Sequence, residues 1–409
     1  MHQWSFAYAF FGRPIRVAIW SFFRRIEIRY HAPLPLTGPL LFAPNHSNAL
    51  ADAIVTAYRP PRQVTFLARA DIFAKPRLRA FFQSIKMLPI YRTRDGVEQM
   101  AKNDETFQLC ADILRHGETV LIFPEGNHST YRKLRPLKKG LARSAFQAEE
   151  SADYQAGVRV VPVGLYYHAA TKFDGELLIQ YGPHIETAAY VEKYRENPAA
   201  ATRALSDELA RRMKQLIIHI DEPAVHTGTE QLWSIQRAEI RRGALSDLYS
   251  EFHAHQRLAD GLTRYYRHSQ TAGEEFLEDI SNYVQQREQW VLHEDCVANP
   301  PAPLALLAKA VGLLLLAPVQ LLGLVNFYPV AWLLRSLSQK LFRDPVFHQA
   351  FKMVGGMFLL PLYALAGTAV AAAMGGWPAA LIYLVSFPLT GEFARRYRRH
   401  WFRFTADVR

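Results

Sequence analysis

The chain has 409 residues, more than one hydrophobic core usually holds, so more than one domain is expected. Its 48 Lys plus Arg outnumber its 37 Asp plus Glu, leaving a formal net charge of +11 that suits an anionic membrane surface or a nucleic acid. The only two cysteines, Cys110 and Cys296, stand far apart, which excludes a disulfide framework and a cysteine-based zinc site.

Residues 1–31 open with "MHQWSFAYAFFGRPIRVAIWSFFRR". Arg13, Pro14 and Arg16 interrupt its apolar run and no small-residue cleavage site follows, so it is a poor signal peptide and a poor membrane span. It reads as an interfacial amphipathic helix, with Trp4 and Trp20 at headgroup level and Arg13, Arg16, Arg24 and Arg25 toward anionic lipid. A helix packed on the following domain is the other reading.

Residues 32–220 alternate short β-branched runs with longer stretches of helical spacing. "PLLFAPN", "VTFLAR", "MLPIYR", "TVLIFPEG", "VRVVPVGLYY" and "ELLIQYG" predict strands, and helices are predicted around 70–84, 97–116, 137–149 and 199–218. This is an α/β sheet domain flanked by helices. Ligands in such sheets favour the crevice beyond the strand ends, where His46, Arg92 and Glu125 each follow a predicted strand. Residues 221–302 are charged and of helical character, a linker or arm.

From residue 303 to 409 the composition turns strongly apolar, with a basic tail "RRYRRH". About 20 apolar residues span a bilayer, so this region is expected to be membrane-embedded. The second apolar block carries a "GGWP" break and predicts a hairpin turning near Gly375 to Pro378. Arg335, Lys340, Arg343 and Lys352 lie between the blocks, so both flanks of that hairpin should be cytoplasmic. The domain before it then stays cytoplasmic if the first block is re-entrant, a second hairpin or interfacial, aided by Pro318 and Pro329.

"NHSNALAD" carries the sharpest chemistry. Groups six apart on one helix point about 120° apart, so His46 must precede the helix. With Ser47 or Asn48 as N-cap, Asp52 in an early turn could fold back onto the imidazole. A histidine oriented by a carboxylate is a suitable general base for an alcohol. No G-x-S-x-G elbow or P-loop is present, and the aromatics form no single-strand platform, so neither a serine hydrolase nor a nucleic-acid binder is expected.

Four blocks in order, "APNHSNALAD", "MLPIYRTRD", "FPEGNHS" and "VVPVGLYY", with "LRPLKKGLARSAF" after the third, resemble the glycerolipid acyltransferases typified by lysophosphatidate (1-acylglycerol-3-phosphate) acyltransferase. The resemblance covers roughly residues 24–190. It implies that His46 is the base that takes a proton from a glycerol hydroxyl as that oxygen attacks an acyl thioester, that Asp52 orients it, and that no covalent acyl-enzyme forms. It further implies that Arg92 pairs with the acceptor phosphate, that Glu125 and Gly126 bind the acceptor, and that no metal or cofactor takes part. The donor would be acyl-CoA or acyl carrier protein.

The chain departs from the family twice. Five residues rather than four separate His46 from Asp52, and Asn127 and His128 stand where threonine and arginine are usual. The second change removes a cation, for which Arg94 and Lys138, or Arg132, Lys133, Arg135 and Lys139, are candidate replacements. The expected reaction is acylation of the sn-2 hydroxyl of 1-acylglycerol-3-phosphate, a lysophospholipid, giving phosphatidate. Acylation of glycerol 3-phosphate at sn-1 is the alternative, and a non-catalytic protein binding anionic membrane is the reading outside enzymes. The bilayer is an expected partner, and a bacterial inner membrane, with the catalytic domain on its cytoplasmic face, the expected location.

Overall fold

The computed structural model describes residues 4–58, 60–92, 96, 98, 101–168, 174–242, 247–289, 302–342, 344 and 346–408. The chain divides into two compact units, Met1–His219 and Ile220–Arg409.

In the first unit, helix α1 (Phe6–Phe22) and strand β1 (Arg25–Tyr30) are followed by β2 (Leu40–Pro44), α2 (Ala49–Ala57), β3 (Val64–Arg69), α3 (Pro76–Ser84), β4 (Met87–Ile90), α4 (Asn103–Arg115) and β5 (Thr119–Leu121). Then come α5 (Gly140–Glu150), β6 (Arg159–His168), β7 (Glu176–Tyr181), β8 (Ile185–Glu186), α6 (Val191–Glu196) and α7 (Pro198–Leu216). The strands form one mixed sheet in the order β1-β7-β6-β2-β5-β3-β4, with β8 beside β6. Strands β2 to β6 run parallel to one another, while β7 pairs antiparallel with β6 and parallel with β1. The carboxyl ends of β2, β5 and β6 therefore lie side by side, the place where loops converge on a ligand in sheets of this kind.

Every residue of β2 and β7 is buried, as expected of strands covered on both faces, which read as continuous apolar runs. Leu41, Val120 and Val160 of three adjacent strands share a core with Phe146 of α5 and with Leu205, Leu209 and Met213 of α7. The four-residue spacing on α7 puts one apolar stripe on the sheet. Its start is set by Asn197, whose side chain accepts from the Ala200 N–H, with Pro198 in the first turn.

Backbone contact is closest at Gly164 of β6, where a Cβ would stand 2.1 Å from the Leu216 carbonyl oxygen. Gly164→Ala should force β6 and the end of α7 apart and destabilise the unit by about 3 kcal/mol, the upper range for overpacking, as read by thermal denaturation.

Two sequence expectations change here. The sheet begins at Arg25 rather than 32, because "RIEIRY" pairs along the whole of β7. Its alternating charges are tolerable because β1 is an edge strand, where exposed charges also discourage further pairing. The helix expected over 70–84 is instead a 3-10 turn at Ala70–Phe73 followed by α3, since Pro76 disfavours helical backbone at the residue before it and suits the first turn of a new helix.

Helix α1 packs on the rest of this unit along one face and leaves aromatic side chains exposed on the other. Tyr8, Gly12, Ile19 and Phe22 are buried, and the Tyr8 hydroxyl donates to the Ala57 carbonyl while its ring stacks on Tyr58. Trp4, Phe6, Phe10 and Trp20 stay 60 to 70% exposed.

The second unit holds α8 (Ala224–Arg242), α9 (Leu248–His268), α10 (Gln270–Gln289), α11 (Pro303–Leu341) and α12 (Val346–Val408). Helices α8 and α9 share a buried ion pair, Arg237 to Glu251 at 2.7 Å, and a stacked pair, Trp233 on His255. Helices α11 and α12 are long and apolar enough to cross a membrane. Helix α12 breaks at Gly375 and Gly376, the latter at φ 70°, and Gly367 lies against the Tyr383 hydroxyl, so the chain reverses there as "GGWP" suggested. The first apolar block is neither re-entrant nor a hairpin. It is one continuous helix of 39 residues that contains Pro318 and Pro329, because each proline removes one backbone donor without reversing the chain. Asn326 donates to Thr390 at 2.9 Å and accepts from Tyr383 at 3.0 Å, polar ties of the kind that join helices in apolar surroundings.

Candidate active site

Strand β2 ends at Pro44, and the next two side chains set the site. Asn45 bridges to β6: its carbonyl oxygen accepts from the Leu165 N–H at 2.7 Å, and its amide donates to the Leu165 carbonyl at 3.2 Å. His46 follows, before the helix, with Asn48 as N-cap. The chain turns into α2 through Ala49, which adopts φ 44°, a left-handed conformation that costs a non-glycine residue about 1 kcal/mol.

This detour lets Asp52 fold back. One carboxylate oxygen, Oδ2, accepts from the Ser47 N–H at 2.8 Å and the Asn48 N–H at 2.6 Å and lies 3.0 Å from His46 Nδ1. Its other oxygen accepts from the Tyr167 hydroxyl at 2.8 Å. Asp52 is wholly buried. Both Asp52 oxygens act as acceptors toward their other partners, so in the His46–Asp52 bond Nδ1 is the donor. That tautomer leaves the lone pair on Nε2 for the cleft. The imidazole is further fixed by stacking on Phe123, with ring centroids 3.8 Å apart.

Glu125, after β5, cross-braces the same backbone. Its Oε1 accepts from the His46 N–H at 2.9 Å, and its Oε2 accepts from the Arg135 N–H at 3.1 Å. Both oxygens are thus engaged in holding main chain, and the Ser129 N–H closes the arrangement on the His46 carbonyl at 2.9 Å. Gly126 sits at φ 76° in the turn that follows, a conformation natural to glycine.

A cleft open to solvent is lined by Asn45, His46, Ser47 and Glu125 together with Ser129 to Lys133, Leu165 to Tyr167, Ile217 and Ile218. The structure therefore brings His46, Asp52 and Glu125 together. Arg92, Gly126 and Lys138 do not line this cleft. Arg92 follows β4, three strands from β2, roughly 14 Å away at ordinary strand spacing. Lys138 is exposed, donates its N–H to the Pro124 carbonyl and lays its stem against Gly126. Arg94 lies outside the described residues.

Sequence reasoning missed Tyr167, which "GLYY" placed in a strand without saying which ring meets the aspartate. Alternation gives the answer once the strand is registered. Burial first, and then the adjacent Asp52 carboxylate, pushes the Tyr167 hydroxyl well above the ordinary tyrosine range. It therefore remains a donor to Asp52 as pH rises through about 10, the usual tyrosine value. Tyr167→Phe should lower kcat about tenfold with little change in KM, since it frees one edge of the orienting carboxylate and keeps the ring that lines the cleft. Steady-state kinetics of that variant, with wild-type turnover followed up to pH 10, checks both statements.

Residues 25–166 match the family model described as Acyltransferase. Over 235 residues the chain is 22% identical to Glycerol-3-phosphate O-acyltransferase 1 of Saccharomyces cerevisiae, a match covering 56% of this chain and 30% of that protein. The chain thus spans under a third of that relative's length. A solved structure, the 1-acyl-sn-glycerophosphate (LPA) acyltransferase PlsC from Thermotoga maritima, is similar with 17% identity and a TM-score of 0.32, over 50% of this chain and 79% of that one. The family-model match encloses His46, Asp52 and Glu125, and together with the likeness to the yeast enzyme it supports a relationship of this part of the chain to the glycerolipid acyltransferases.

Proposed function

We propose that the protein transfers a fatty acyl group from a thioester, acyl-CoA or acyl carrier protein, to a hydroxyl of a glycerol phosphate acceptor, with 1-acylglycerol-3-phosphate as the acceptor and its sn-2 oxygen as the nucleophile. The observation that carries this reading is the His46–Asp52 pair, held at 3.0 Å through Nδ1 with the histidine on a solvent-open cleft. In this mechanism Nε2 removes the hydroxyl proton as the oxygen attacks the thioester carbonyl. The tetrahedral adduct then expels the thiolate, which recovers the proton from His46. Asp52 stabilises the imidazolium between those steps.

The exposed aromatics of α1 and the two long apolar helices support a membrane enzyme, whose acceptor lives in the bilayer. A cytosolic donor calls for the acyltransferase unit on the cytoplasmic face, as in a bacterial inner membrane, and with both flanks of the α12 hairpin cytoplasmic this requires α11 to lie in the membrane interface rather than cross it. Protease treatment of inside-out vesicles tests that placement, with digestion of the unit expected and protection overturning it.

Glycerol 3-phosphate is the second acceptor reading, favoured by the name of the yeast relative. Acyl transfer by the detergent-solubilised full chain from palmitoyl-CoA to each acceptor separates the two. Phosphatidate formed from the lyso-acceptor supports the first reading. Lysophosphatidate formed only from glycerol 3-phosphate replaces it with the second.

A further inference from the structure

We propose that α11 lies across the α12 hairpin within one leaflet, its exposed side covered by the acyl chains of that leaflet, so that both ends of α11 and both ends of α12 share one membrane face. The proposal rests on the membrane reading given above and is independent of the acyl-transfer chemistry.

Composition alone argues for a crossing. Helix α11 runs for 39 residues, about 58 Å at the rise of an α-helix, and is apolar enough to span a bilayer. Its contacts with α12 oppose that arrangement. The two arms of α12 meet across the break at Gly375 and Gly376, with Gly367 of the first arm packed on Tyr383 of the second. Toward its C-terminus α11 sets Leu334 against Gly355 of the first arm, and further back its Val325 carbonyl accepts from the Tyr363 hydroxyl of the same arm at 3.0 Å. This half of α11 therefore runs antiparallel to the first arm.

A crossing helix that continued in this way would bring Leu313 level with the turn, because the step from Leu334 back to Leu313 equals the step from Gly355 to Gly376. Leu313 is elsewhere. Its carbonyl accepts from the Tyr397 hydroxyl at 2.9 Å, about 20 residues past the turn, or roughly 30 Å of helix. Between these two ends, Gly323 packs on Ala394, Asn326 bonds to Thr390 and Tyr383, and the Phe327 ring lies 4.7 Å from that of Phe387. Followed from its N-terminus, α11 meets α12 far from the turn, nears the turn at Asn326 and is far from it again at Leu334. A helix laid across the hairpin has that contact order; a third parallel span does not.

The charges fall in the same pattern. Lys309 stands near one end of α11 and Arg335 and Lys340 near the other, while Lys352, Arg395 and Arg396 flank the open end of α12. No charged residue separates Lys309 from Arg335, or Lys352 from Glu392, so the α12 turn carries none. Lys and Arg favour the cytoplasmic face, and a crossing would carry one basic end of α11 to the other side. Leu307, Leu314, Leu315, Leu322 and Val325 of α11 are 60 to 74% exposed, an apolar surface that suits hydrocarbon rather than water. The lysines at its ends can reach headgroups along their own stems.

Sided cysteine labelling tests the proposal. The background is Cys296→Ser full-length protein, in which the other cysteine, Cys110, is wholly buried. Ala302→Cys and Lys340→Cys place a thiol at either end of α11, and Trp377→Cys places one at the α12 turn, all at exposed positions where the fold tolerates change. With a membrane-impermeant maleimide, Ala302→Cys and Lys340→Cys are expected to react at least about tenfold faster in inside-out than in right-side-out vesicles, and Trp377→Cys the reverse. Reaction of Ala302→Cys and Lys340→Cys from opposite faces overturns the proposal. Reaction of both from the outer face leaves α11 within one leaflet and overturns the cytoplasmic placement instead. Release of the protein from vesicles by alkaline carbonate removes the membrane reading and the proposal with it. None of these results depends on turnover, so an absence of acyl transfer fails separately.

Discussion

His46→Ala is expected to lower acyl-transfer kcat by about 10³-fold, the middle of the range for a positioned general base, with no comparable change in thermal stability. The ring is only partly buried and lies on the cleft, stacked on Phe123, so its loss opens space toward solvent rather than a void in the core. Its backbone N–H and carbonyl, which hold Glu125 and Ser129, survive the substitution. Palmitoyl-CoA turnover beside a denaturation curve makes the measurement. Transfer at the wild-type rate by a folded His46→Ala protein would remove the base from the mechanism.

Asp52→Ala should damage both turnover and fold. The carboxylate satisfies two backbone N–H groups and the Tyr167 hydroxyl in a wholly buried position. Removing it leaves those donors without a partner, at a cost of about 3 kcal/mol for the set, since each unsatisfied buried group costs about 1 to 3. The imidazole also loses the acceptor that selects its tautomer. Turnover should therefore fall at least as far as stability alone accounts for, and by a further factor of about 100 at temperatures where the variant is fully folded. Adding Tyr167→Phe to Asp52→Ala removes one of the stranded donors and should return part of the lost stability, because deleting both partners costs less than deleting one. A double-mutant cycle in chemical denaturant reads this coupling. Strict additivity of the two substitutions would show that the hydroxyl and carboxylate do not share energy.

The sequence by itself determined the pieces that depend on near neighbours. Runs such as "VTFLAR" and "VRVVPVGLYY" form strands because β-branched and aromatic side chains suit a pleat covered on both faces. His46 and Asp52 were legible as a pair because helix geometry forbids their meeting unless the histidine precedes the N-cap, and Asn48 is that cap. The "GGWP" break marked a chain reversal because glycine at φ 70° needs no neighbour's help.

Tertiary structure alone decided what depends on distant partners. "RIEIRY" alternates charged and apolar residues as a half-buried strand does, but only the edge offered by β7 decides where it pairs. Three strand ends that look equivalent in sequence differ in position: the order β2-β5-β3-β4 puts Glu125 beside His46 and moves Arg92 away. Tyr167 meets Asp52 across 115 positions, through a β2–β6 register that no local pattern specifies. The basic run from Arg132 to Lys139 reads as uniform charge, yet the hydrogen bonds of the loop turn Arg132 and Lys133 into the cleft and leave Lys138 outside it. Composition supplied the charge; strand order and loop closure decided where it could act.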